Sequence, residues 1–161
     1  MPGSAASYLT VVLATLFTLA ACVLLQYEGL VLVWRRLSVH KGHRRAKVLY
    51  GILSVMCVHV MEICIFGMVI WLLLLWPVHG SLHGPESAAF GDCLYLSAVT
   101  FSTVGFGDIA PVGPIRFLAA TEALSGFVLI TWSASFTYLE MEKFWRAEDL
   151  DVTRKQGSDP D

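Results

Sequence analysis

Thr100-Phe101-Ser102-Thr103-Val104-Gly105-Phe106-Gly107-Asp108 is the stretch on which the reading of this chain turns. It is short, punctuated by glycine and set between two long apolar runs. Its composition does not suit a buried helix, yet it falls where membrane depth is expected. Irregular backbone at that depth is tolerated only where protein buries it or where it lines a watery cavity. The segment therefore has to be explained by what surrounds it.

Outward from it, three apolar runs cover residues 7–34, 48–76 and 115–139. Each exceeds the ~20 residues that a bilayer-spanning helix needs. The whole chain is 56% hydrophobic and 15% charged over 161 residues, too little charge for a soluble domain of this length. The reading is an all-α integral membrane protein with three transmembrane helices. The first two runs are long enough to tilt or to extend past the hydrocarbon. Leu19-Ala20-Ala21-Cys22 resembles a lipoprotein processing site. No basic region precedes it and the apolar run continues to Trp34, so the first helix is expected to be retained.

The net charge of -2 says less than its distribution. Arg35, Arg36, Lys41, Arg44, Arg45 and Lys47 share one short loop, and Lys143, Arg146, Arg154 and Lys155 share the tail. By the positive-inside rule both segments belong in the cytoplasm. The N-terminus then lies outside and the C-terminus inside, in a plasma (inner) membrane. Segment 77–114 falls on the outer side. Trp71 and Trp76 are expected near the outer interface, with Trp34 and Trp145 near the inner one. Cys22, Cys57, Cys64 and Cys93 are expected as small buried hydrophobes rather than disulfides.

Residues 85–102 predict a short re-entrant helix, with Pro85 and Glu86 suited to its first turn. Entering from outside, it aims the partial negative charge of its C-terminal end at the membrane centre, which favours a cation there. Gly105 and Gly107 can adopt positive φ, so successive carbonyls can point to one side. Thr103 adds a hydroxyl at the inner end. Several such loops around an axis would stack cages of backbone oxygen that replace the hydration shell of K⁺.

On these residues, Thr100–Asp108 resembles the T-x-x-T-V-G-[YF]-G-D filter of tetrameric potassium channels. Pro111, Gly126 and Trp132-Ser133-Ala134-Ser135-Phe136 are also similar to small bacterial members of that pore-module family, over roughly residues 48–145. The resemblance implies a homotetramer in the lipid bilayer that conducts K⁺ passively, with no cofactor beyond the permeant ion and no nucleic acid. It implies that carbonyls of Thr103, Val104, Gly105 and Phe106 face the ion, supported by Thr100, Gly107 and Asp108. Some members pair this aspartate with an acid on the pore helix. Val99 stands there in this chain, and Tyr95, one turn earlier, is placed to donate to Asp108 instead. Phe106 stands where many members have tyrosine, which removes one anchor behind the filter.

The chain then divides into 1–47 (the extra first helix and basic loop), a pore module over 48–140, and a short tail over 141–161. The module holds an outer helix 48–76, the pore helix 85–102, the filter 103–108 and an inner helix 115–139. Gly126 matches the family's hinge glycine, and equally suits a close helix contact. Counting by four from it places Ile130, Ala134 and Tyr138 on one face, expected to line the inner cavity. His59 and Glu62 share one face of the second helix, either as a proton-sensing pair or as a hydrogen-bonded one. Glu122 is expected behind the pore helix as a hydrogen-bonded packing residue. Glu86, Asp92 and Asp108 make the outer segment acidic, which would concentrate cations at its mouth. Asp92 reads equally well as ordinary solvated charge.

No helix carries regularly spaced arginines of the voltage-sensing kind. No nucleophile-base set or metal-ligand spacing supports an enzyme. A weakly selective cation channel and a transporter-type K⁺ pore subunit are the alternatives closest to this reading.

Overall fold

A computed structural model describes residues 5–39, 44–84 and 89–156. Helix α1 covers Ala5–Val39 and α2 covers Arg44–Leu74. A 3₁₀ turn at Pro77–His79 leads to strand β1, Ser81–His83. Helix α3, Phe90–Phe101, is followed by strand β2, Ala110–Val112, and by helix α4, Arg116–Gln156. Helices α1, α2 and α4 contain the three stretches long and apolar enough to cross a membrane, Ala5–Leu37, Ala46–Leu74 and Arg116–Glu142.

The helix bounds differ from the expected ones for local reasons. The inner helix does not end at residue 139 but runs to Gln156, because no glycine or proline interrupts the charged tail before Gly157. The outer helix ends at Leu74 rather than 76, where Pro77 opens the 3₁₀ turn. The pore helix begins at Phe90, not at 85, because Ala89 is extended with ψ 156°. Its start is set by Asp92, whose Oδ2 accepts the Ala89 N–H at 3.1 Å. Pro85 and Glu86 lie outside the described residues, as do Lys41 in the basic loop and the last five residues of the tail. Of the cysteines, Cys22 and Cys93 are buried, but Cys57 is exposed on α2; all four are free thiols.

Burial is inverted relative to a soluble domain. Leu13, Phe17, Leu24, Met56, Val60 and Leu124 are exposed, while Gln26, Glu62, Ser97 and Glu122 are fully buried. In lipid, apolar side chains gain little by facing one another, so helices associate through close packing and hydrogen bonds. Both devices are present. An added Cβ at Gly126 would sit 2.1 Å from the Phe101 carbonyl oxygen, and one at Gly67 would sit 3.0 Å from Leu94 Cα. Those contacts bring α3 hard against α4 and α2. Gln26 Nε2 donates to the Leu129 carbonyl at 3.3 Å and to Ser133 Oγ at 2.5 Å, tying α1 to α4.

A two-stranded antiparallel ribbon closes the segment between α2 and α4. Ser81, Leu82 and His83 pair with Val112, Pro111 and Ala110. His79 anchors it: its Nδ1 lies 3.1 Å from the Leu73 carbonyl, and its own carbonyl accepts the Ile115 N–H at 3.0 Å. The ribbon is an addition to the expected helical plan. It holds both ends of the connection that carries α3.

Candidate functional site

The pore helix is built with two working sides. Cys93, Ser97 and Phe101, spaced one turn apart, are buried against α2 and α4. Phe101 packs near Phe66 and His59, with ring centroids 6.5 and 5.8 Å away. At the other end Trp71 meets Phe90 edge-on at 5.9 Å. Tyr95 and Val99 occupy the side that meets the irregular segment. The Val99 carbonyl accepts the Gly105 N–H at 3.0 Å, and the Tyr95 hydroxyl donates to Asp108 Oδ2 at 2.9 Å.

The helix stops at Ser102, which caps it in αR geometry and donates from its N–H to the Ala98 carbonyl at 3.1 Å. From there the backbone alternates. Thr103, Gly105 and Gly107 have φ of 61°, 52° and 81°, while Val104 and Phe106 do not take positive φ. Thr103 is the one non-glycine residue with positive φ among the described residues. A β-branched side chain in that region costs roughly 1–2 kcal/mol, so the surroundings must impose it. The Thr103 N–H donating to the Thr100 carbonyl at 2.9 Å is part of that restraint. Both glycines stand in open space, so their backbone conformation, not crowding, accounts for their type there.

Positive φ at alternate positions allows successive carbonyls to point to one side. The amide of Gly105 is satisfied by the pore helix behind it. Residues 102–108 are exposed in the single chain, with Phe106 71% and Val104 55% accessible. The segment is therefore a backbone ridge, held from behind and uncovered in front.

The other anticipated residues are distributed around this ridge. Gly126 lies against the Phe101 backbone, at the inner end of the pore helix. Ile130, Ala134 and Tyr138 lie further along α4 on its uncovered surface. His59 Nδ1 sits 2.8 Å from Glu62 Oε2, so these two partner one another inside α2. Asp92 is a cap rather than free solvated charge. Ser97 was not anticipated. Its Oγ lies 2.8 Å from the Ile63 carbonyl of α2 and 2.5 Å from Glu122 Oε1 of α4. Its signal in the sequence is faint, a single hydroxyl in an apolar run. Gln26 is as faint, a polar amide inside the first span whose partners on α4 the sequence does not name.

Comparisons with known proteins place part of this chain among sequence relatives. Protein LctB of Geobacillus stearothermophilus is 42% identical over 53 residues, which cover 33% of this chain and 40% of that protein. Protein LctB of Bacillus caldotenax is 47% identical over 53 residues, with the same coverage of both chains. The chain thus spans about two fifths of the curated relatives it matches. No solved structure matches it. The family described as "Ion channel" matches residues 58–142, more than half of the chain and all of the pore helix, ridge and adjoining stretches of α2 and α4. The chain belongs to this ion channel family.

Proposed function

We propose that four copies of the chain assemble around a central axis and conduct K⁺ passively and selectively. The observation that carries the reading is the alternation of positive φ at Thr103, Gly105 and Gly107. It supports carbonyls of Thr103, Val104, Gly105 and Phe106 as ion ligands, with the Thr103 hydroxyl at the inner end. One ridge offers one oxygen per level, and a hydrated cation loses its shell only to a ring of them. Each chain carries a single ridge, so several copies are required, and the resemblance to tetrameric channels supports four.

The exposed Val104 and Phe106 of one chain are then covered by its neighbours. Asp108, braced by Tyr95, lies at the outer mouth. The basic loop and tail face the cytoplasm of a plasma (inner) membrane, with the N-terminus outside. Ile130, Ala134 and Tyr138 line the inner cavity, and Gly126 serves as the packing point, the hinge, or both.

Purified chain in liposomes loaded with K⁺ tests the proposal. Flux that Ba²⁺ blocks, from particles with fourfold symmetry, is the expected result. A monomeric or dimeric conducting particle would overturn it.

A further inference from the structure

Glu122 is fully buried among apolar helices, and its Oε2 has no hydrogen-bond partner. An ionisable residue so placed is costly and is a candidate for function. Among the described residues its hydrogen-bond partner is Ser97, which also lies within bonding distance of the Ile63 carbonyl. A hydroxyl has one proton to donate. If Ser97 donates to Glu122, its contact with Ile63 is oxygen against oxygen with no proton between them. If Glu122 carries a proton and donates it to Ser97, the Ser97 hydroxyl is released to Ile63, and both contacts become hydrogen bonds. The second arrangement also avoids an ionised carboxylate with a single donor in the membrane interior.

We propose that Glu122, as a neutral acid, heads a hydrogen-bond relay through Ser97 to the Ile63 carbonyl that positions the filter by fixing the rotation of the pore helix. The proposal rests on the reading of residues 103–108 as a selectivity filter. Its geometry has three parts. Ser97 and Phe101 are one turn apart on α3, and their partners Glu122 and Gly126 are one turn apart on α4. The two helices therefore meet in parallel register, at two levels about 6 Å apart along the axis.

The Gly126 contact, and the contact of Gly67 with Leu94, limit how closely the helices approach. Steric contacts of that kind resist compression but not rotation. A directional bond from Ser97 to both neighbours resists rotation. Rotation matters because the opposite side of α3 holds the ridge, through the Val99 carbonyl and the Tyr95 hydroxyl. Turning the helix would move both attachment points together. Glu62, the other buried carboxyl group of this region, is engaged by His59 and takes no part.

The test uses the full chain in liposomes under bi-ionic K⁺/Na⁺ conditions. Glu122→Gln keeps a neutral donor for Ser97, and its permeability ratio is expected within about twofold of the parent. Glu122→Leu and Ser97→Ala remove the relay and are expected to lower the ratio by roughly 3- to 15-fold, the range of membrane hydrogen bonds. A glutamine variant that loses selectivity as fully as the leucine variant would overturn the proposal, as would a leucine variant indistinguishable from the parent. Infrared difference spectroscopy of the parent against Glu122→Gln reads the proton without conduction. A protonated-carboxyl band lost in the variant supports the relay, and its absence from the parent refutes it. A parent that passes K⁺ and Na⁺ alike would sink the filter reading instead, and the infrared band would then decide the relay by itself.

Discussion

Tyr95 illustrates how a single side chain can stand in for a different one. The position where an acidic partner for Asp108 is expected holds Val99, and the hydroxyl one turn earlier reaches the aspartate. The bond to Asp108 raises the Tyr95 hydroxyl above its ordinary value of 10.0, since ionising it would break the bond and set two negative charges together. The brace is therefore fully present below pH 10 and is lost as the pH rises through the raised value. Tyr95→Phe removes the bond and keeps the ring. The K⁺/Na⁺ permeability ratio in bilayer recordings is expected to fall about two- to tenfold, the scale of one hydrogen bond. Unchanged currents would mean that Asp108 is held without it. This contact was open to anticipation because both partners belong to the motif and its preceding turn. Ser97 and Gln26 were not, because their partners lie on other helices and leave no mark on the local pattern.

Among the elements, hydropathy was sufficient for the three long helices and glycine spacing for the break after α3. Where the elements end depended on weaker signals. Asp92 reads as solvated charge until its bond to the Ala89 N–H is seen. Strands of three residues carry too little periodicity to be read, and one of these contains Pro111. The contact between α3 and α4 was half legible, since a glycine at residue 126 fits a hinge and a packing point alike. The 2.1 Å approach of an added Cβ to the Phe101 carbonyl makes close packing a requirement. A backbone carbonyl at a helix end has little room to give. Gly126→Ala is expected to cost roughly 1–3 kcal/mol, read as a lower unfolding temperature in detergent. A role as hinge alone would leave that temperature unchanged and alter only channel opening.

On the scale of the whole molecule, the extra first helix is built into the pore module rather than beside it. Gln26 reaches across to Leu129 and Ser133, three and seven residues beyond Gly126 on α4. The inner helix is thus tied to the pore helix above that level and to α1 below it. Gln26→Leu removes the lower tie without changing size much. It is expected to weaken the docking of α1 by about 1 kcal/mol, seen as faster proteolysis or cross-linking of α1 at unchanged assembly. If α1 cross-links at the parental rate, the tie contributes nothing.

The proposed function stands or falls on selection of K⁺ by the ridge from Thr103 to Asp108. Its most direct measurement is the reversal potential of the purified chain in planar bilayers, with K⁺ on one side and Na⁺ on the other. The expected potential is close to that of a membrane permeable to K⁺ alone. A potential near zero, with both ions carrying current equally, would contradict it.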